Sequence, residues 1–290
     1  MTRGFRQELL AWGERVRRDL PWRQTRDPWA ILVSEVMLQQ TQVARVVPKY
    51  ERFLERFPDV QSCAAAPVAA VIELWDGLGY NRRAVHLHRS AVAMLERHGG
   101  EVPSSLDELL ALPGVGPYTA RAVLTFAFEE QVGILDTNTG RIASRALAGR
   151  PLGRAEAQEL LDAEVPADAA WAWNQALLDL GATVCSKRDP DCGGCPVASS
   201  CRWHRSGSPR PDPAHGSAGV STTQPPFEGS LRQARGRLVA ALRNGPVAME
   251  AVAAAAGTPS DPDRAQRAAE GLVRDGVATI EQDRLRLPGS

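Results

Sequence analysis

Lysine is nearly missing from this 290-residue chain: Lys49 and Lys187 are the only two among 34 basic residues, so arginine carries almost all the positive charge. Arginine grips phosphate through a planar fork, but GC-rich coding leaves the same imprint, so the excess does not identify a partner. Net charge is no guide either, at +0 near neutrality. A run of about eighteen apolar residues is absent, which excludes a membrane-spanning helix. The opening Met1-Thr-Arg-Gly-Phe-Arg6 lacks the apolar core of a secretory signal. The expectation is a cytoplasmic protein. Cysteine is scarce outside one cluster, since four of the five fall within residues 185–201, and in such a compartment clustered thiols signal metal more than disulfide.

Convincing alternating strand patterns are also missing from the first 200 residues. What is present is a succession of amphipathic helical patterns, near 5–18, 28–40, 43–56, 67–74, 81–98, 105–110, 117–128, 138–147, 154–163 and 168–181. With 43% apolar residues the chain can bury a real core. The fold class expected is mainly α over residues 1–204. Residues 205–227, rich in Ser, Gly and Pro, read as a flexible linker. Residues 228–290 read as a small module. Its helices near 230–243, 247–256 and 262–275, followed by strands at 277–280 and 284–287, suggest a winged helix.

Three features carry chemistry. Cys185, Cys192, Cys195 and Cys201 supply four soft ligands on a compact loop, suited to an iron–sulfur cluster or to tetrahedral zinc; spacing alone does not choose. Leu112-Pro-Gly-Val-Gly-Pro-Tyr-Thr-Ala120 joins two helices through a tight turn. Gly114 and Gly116 permit positive φ there, and the free amides around Gly114, Val115 and Gly116 are placed to hold a DNA phosphate without reading sequence. Lastly, Glu35 is the only charged residue between Asp27 and Arg45, on a helical face with Ile31, Leu32 and Leu38. A carboxyl there loses solvation and tends to stay protonated, as a general acid requires; a buried glutamate paired with an arginine fits equally well. Asp136 follows an apolar stretch and opens a helix. It reads as an N-cap, or as a fixed negative charge beside a developing cation.

In this order, Leu20-Pro-Trp-Arg23, Glu35-Val-Met-Leu-Gln-Gln-Thr41, Gly77-Leu-Gly-Tyr80, Leu112–Thr119, Asp136-Thr-Asn138 and the four cysteines resemble the motifs of MutY-type adenine DNA glycosylases, in the helix-hairpin-helix superfamily that also contains endonuclease III. The resemblance covers residues 5 to 203. It implies a base-excision repair enzyme that acts as a monomer on double-stranded DNA, flips a mispaired adenine out of the helix and hydrolyses its glycosidic bond. By the same resemblance Glu35 protonates the adenine, Asp136 stabilises the cationic sugar and Asn138 helps position it. Trp22, Arg23 and Asp179 line the adenine pocket with Leu38 nearby, and Gln40, Thr41, Leu78 and Tyr80 surround the oxidised guanine left in the duplex. The cysteines hold a [4Fe–4S] cluster.

Endonuclease III-type enzymes carry a Schiff-base lysine in the second hairpin helix. Tyr118 stands in that place here, which implies a glycosylase without strand cleavage. Three positions depart from the pattern: Gly140 follows Asp136-Thr-Asn-Thr, Asn81 stands where a second tyrosine is common, and residues 230–290 do not resemble the Nudix-like domain of many relatives. They are similar to the short module of some actinobacterial members. Two alternatives stand beside this reading: a bifunctional pyrimidine glycosylase and lyase, and a non-catalytic iron–sulfur DNA-binding regulator.

Overall fold

The computed structural model describes residues 3–218 and 226–289. In chain order the helices are α1 Arg3–Val16, α2 Pro28–Leu38, α3 Val43–Arg56, α4 Val60–Ala65, α5 Val68–Leu74, α6 Arg82–His98, α7 Leu106–Leu110, α8 Pro117–Phe128, α9 Thr137–Ile142, α10 Arg154–Glu164, α11 Ala170–Thr183, α12 Arg202–Arg205, α13 Leu231–Leu242, α14 Val252–Ala255 and α15 Pro262–Arg274. None of the described helices is long and apolar enough to cross a membrane. The chain divides into two compact units: Met1–Pro28, Ser104–Leu106 and Gly116–Thr222 form the first, and Trp29–Pro103, Asp107–Val115 and Thr223–Ser290 the second.

In the first unit α1 packs along α11. Phe5 and Leu9, one helical turn apart, share a core with Trp173, Leu177 and Leu180, and Phe5 meets Trp173 edge-on at 6.0 Å. Asp136 caps α9, and the helix runs on into a π turn over Ala143–Ala148. Gly140 does not interrupt it: its amide bonds to Asp136 O at 3.0 Å. The stretch expected to be a flexible linker is tied down over much of its described length. Trp203 donates to Pro209 O, Asp212 is buried, and the Ala218 amide bonds to Leu152 O. Residues 219–225 lie outside the described residues.

In the second unit α2 is buried continuously from Trp29 to Met37, so its helical pattern is not amphipathic. Trp29 of α2 meets Phe53, which packs edge-on against Phe57 and Trp75, and Trp29 Nε1 donates to Phe57 O at 3.0 Å. The short α4, which hydrophobic periodicity does not reveal, is defined by a reciprocal Asp59–Ser62 cap. Towards the C-terminus come α13, strand β1 Val247–Ala248, α14, α15, and strands β2 Thr279–Glu281 and β3 Arg284–Arg286. The sheet is antiparallel in the order β1-β3-β2, with Val247 and Ile280 both opposite Leu285. The expected helix over 247–256 is thus replaced by a two-residue strand, a turn and the four-residue α14. Gly245-Pro246 breaks the helical path, and Val247 gains a strand partner.

Candidate active site

Glu35 sits in the second unit on α2, 4% exposed, among Ile31, Leu32, Val36 and Met37, which are equally buried. The helix ends at Leu38, not at Gln40 as its sequence suggested. Its last carbonyls, Val36 O and Met37 O, have lost helical partners and accept from Arg83 Nη1 at 2.7 and 2.9 Å. Nη2 of the same guanidinium donates to Thr41 Oγ1 at 3.0 Å and to Leu78 O and Gly79 O at 3.1 Å. One buried arginine therefore fixes the end of the Glu35 helix to both loops that carry Thr41, Leu78 and Tyr80. Burial pulls Arg83 down to about 10, which leaves it charged at neutral pH. Gln40 and Tyr80 adopt left-handed backbone conformations, φ 54° and 47°, which side-chain-bearing residues rarely do.

The glycine turn follows α7. Gly114 has φ 76°, and a β-carbon there would fall 2.4–2.8 Å from the His86 ring, so both the conformation and the space demand glycine. Gly116 differs from expectation: φ is −98°, it precedes α8 as an extended N-cap, and nothing lies within 4 Å of the place a β-carbon would take. Its role is not conformational. It leaves the start of α8 open. Tyr118 is the second residue of that helix and is half-buried.

In the first unit Asp136 is anchored by a dense set of donors. Oδ1 accepts from the Asn138 and Thr139 amides, each at 2.7 Å, and from Thr139 Oγ1 at 3.2 Å; Oδ2 accepts from Asn138 Nδ2 at 3.1 Å. The N-cap reading holds, and the same bonds fix the orientation of the carboxyl. Asn138 is held in turn by Arg141 Nη2 at 2.9 Å, and this buried guanidinium also donates to Thr137 O, Gly181 O and Cys185 O. Gly181 allows that approach, because a β-carbon on it would lie 2.4 Å from Asn138 Cβ.

Trp22 and Arg23 form a buried turn in this unit. Arg23 makes a two-pronged ion pair with Asp179, Nη1 to Oδ2 at 2.7 Å and Nη2 to Oδ1 at 2.9 Å, and Arg18 Nε adds a third bond at 2.7 Å. Both carboxylate oxygens of Asp179 are therefore engaged by arginine. It holds Arg23 in place.

The four cysteines line one cavity with Ile142, Leu180 and Val197. Burial pushes the Cys195 thiol up to about 11 and raises Cys192 and Cys201 as well. A positive metal is what converts buried thiols of this kind into ligands. Arg145, almost fully buried, donates to Cys185 Sγ at 3.4 Å and to Ser186 O and Lys187 O, and pairs through two nitrogens with Asp212. Among the described residues no group of three or more His, Cys, Asp or Glu side chains is arranged to hold a single metal ion. The fifth cysteine, Cys63, lies in the core of the second unit.

The structure thus gathers Asp136, Asn138 and Cys185 around Arg141, and Arg23 with Asp179. Elsewhere it gathers Thr41 and Leu78 around Arg83, on the unit that carries Glu35. The connecting arginines 83, 141 and 145 were missed by sequence reasoning. Arg141 and Arg145 are four apart on one helical face, a signal that was available; nothing local distinguishes Arg83 from its exposed neighbour Arg82.

Residues 33–166 match the HhH-GPD superfamily of base excision DNA repair proteins. The adenine DNA glycosylase of Mycolicibacterium smegmatis is 41% identical over 279 residues, spanning 95% of this chain and 92% of that protein. That of Mycobacterium tuberculosis H37Rv is 40% identical over 290 residues, 97% of this chain and 92% of the other. A solved thermostable thymine-DNA glycosylase is 29% identical with a TM-score of 0.65, and covers 70% of this chain and 95% of its own. Matches spanning 95% and 97% of the chain necessarily extend into the C-terminal helices and strands.

Proposed function

Because the chain belongs to the adenine DNA glycosylase family, within the HhH-GPD superfamily of base excision repair proteins, we propose that it removes adenine mispaired with 8-oxoguanine or guanine from duplex DNA. The observation that carries this reading is Glu35, a single carboxyl buried on a continuously buried apolar helix. Burial penalises the ionised form of a carboxyl, which suits an acid that gives its proton to the adenine ring. Protonation makes the base a better leaving group. The C1′–N9 bond then breaks with its electron pair going to the base, and positive charge develops on the sugar. Asp136, held by four hydrogen bonds, offsets that charge, and water completes the hydrolysis. Asn138 keeps the Asp136 carboxylate oriented. Trp22 and Arg23 take the flipped base, with Asp179 positioning Arg23. Gln40, Thr41, Leu78 and Tyr80 support the base left behind, and the cost of flipping, about a few kcal/mol, is offset by such contacts.

The open start of α8 at Gly116, together with the turn through Gly114 and Val115, takes a backbone phosphate. Tyr118 carries no amine, so the product is an abasic site in an intact strand. Four thiols lining a common cavity form a donor set that fits a [4Fe–4S] cluster held by Cys185, Cys192, Cys195 and Cys201. A bound cluster would brace the loop, which Arg141 and Arg145 connect through Cys185 to α9 and to the π turn that continues it.

Single-turnover reaction with adenine opposite 8-oxoguanine, guanine or thymine tests the proposal. Alkali-labile sites are expected with the first two duplexes and not the third. Release from none of them by cluster-loaded protein sinks it. Borohydride trapping on abasic DNA should give no covalent complex.

A further inference from the structure

In the second unit, a cavity of about 930 Å³ is walled on one side by the loops bearing Gln40, Thr41, Leu78 and Tyr80, and on the other by α13. Six arginines line it against two aspartates. The acids do not neutralise the cations, because each is shared. Asp275 pairs with Arg235 and lies 3.7 Å from Arg82; Asp76 pairs with Arg243 and lies 4.0 Å from Lys49. Arg232, on the first turn of α13, reaches the Tyr80 hydroxyl at 3.4 Å, and the exposed ring of Phe227 stands beside its guanidinium. In a chain of zero net charge this concentration of arginine is local, and it adjoins the two residues held in left-handed conformations, Gln40 and Tyr80.

We propose that α13 is part of the DNA-binding surface: Arg232 and Arg235 contact backbone phosphates of the strand that carries the base opposite the excised adenine. This rests on the proposed function for the assignment of that strand, since Gln40, Thr41, Leu78 and Tyr80 are read as surrounding the opposite base. The preference for phosphate over a base edge follows from the side chains themselves. Positively charged forks suit a uniform polyanion. The module then does by charge, beside the lesion-facing loops, part of what a separate lesion-reading domain would do.

The test is the salt dependence of binding by the full chain to two duplexes, one undamaged and one with a tetrahydrofuran site opposite 8-oxoguanine, neither of which can lose adenine. Each lost phosphate contact lowers the slope of log K against log salt by about one. Arg232→Gln and Arg235→Gln should each do so on both duplexes, and the double variant should bind about tenfold more weakly. Arg237→Gln, on the same helix but outside the cavity, should leave the slope unchanged. Unaltered slopes in the cavity variants, or an equal loss in Arg237→Gln, overturn the proposal. Phe227 replaced by a benzoyl-phenylalanine photocrosslinker leaves the arginines intact. It should label the 8-oxoguanine strand, and labelling of the other strand or of neither counts against the contact. Adenine release is scored separately, so failure of the reaction and failure of the phosphate contact give different results.

Discussion

The two carboxyls assigned to the reaction are held by opposite means. Glu35 is buried on α2 beside Ile31, Leu32, Val36 and Met37, with one arginine clamping the helix end beyond it. Asp136 is fixed by hydrogen bonds, to two amides, a hydroxyl and an amide side chain, and behind these stands a buried guanidinium. In general, apolar burial disfavours a carboxyl's charge and hydrogen-bond donors favour it. The comparison teaches that two carboxyls of one chain can be placed by unlike surroundings, one by burial and one by a set of donors. It also means that the two regions should fail differently: the Glu35 region through lost proton donation, the Asp136 region through lost charge or lost geometry.

Glu35→Gln is the sharpest way to test the first half. It keeps the side chain's size and buried position but removes the transferable proton, so single-turnover adenine release should fall by about 10²–10⁴-fold while duplex binding is retained. Retained activity would break the comparison at its root. Asp136→Asn tests the second half. The amide oxygen can still cap α9, so thermal stability should drop by only about 1 kcal/mol. The charge beside the sugar is lost, and the rate should fall by about 10²-fold or more. A rate loss matched by unfolding would mean that Asp136 is a cap and no more.

How much of this was legible in the sequence follows the same divide. Glu35 stood out because a single charge among apolar residues violates the local pattern, and α3 and α8 were read from periodicity with the bounds the structure has. Asp136 was legible as a cap or a fixed charge, but not the donors that hold it, because they include Asn138 held by Arg141, whose partners Gly181 and Cys185 come from forty or more residues away. Arg83 was hidden for the same reason: a buried arginine is indistinguishable from a surface one until its acceptors are known. Asp179 was read as a pocket residue, and the structure shows both its oxygens taken by Arg18 and Arg23. The tethered part of the expected linker depended on Asp212 finding Arg145, a pairing over 67 residues that composition cannot express.

The Arg23–Asp179 pair gives the next largest effect in the region built from polar contacts. Both side chains are nearly buried, so Asp179→Leu leaves Arg23 charged and unpaired, and denaturant unfolding should show a loss of about 3–5 kcal/mol. A loss below about 1 kcal/mol would mean that water or another acceptor already serves Arg23, and that the first unit is less dependent on its ion pairs than its geometry indicates.

Gly181→Ala asks the finest question, whether position alone matters to Asp136. The added methyl would lie 2.4 Å from Asn138 Cβ and 3.1 Å from its Cα, so α9 has to shift by a few tenths of an ångström or more away from α11. Overpacking of this kind costs about 1–3 kcal/mol. No charge is removed and no donor is deleted. If Asp136 acts through a placed charge, the rate should fall by about tenfold even at a temperature where the variant is fully folded, because a small displacement of an oriented group weakens its hold on the transition state. The corresponding methyl at Gly116, where the space is open, should cost little stability yet weaken DNA binding. The two glycines thus separate a displaced anion from an obstructed phosphate. Equal rates for wild-type protein and folded Gly181→Ala, at saturating enzyme, would show that the Asp136 region tolerates movement and that its dense hydrogen bonding serves the fold more than the reaction.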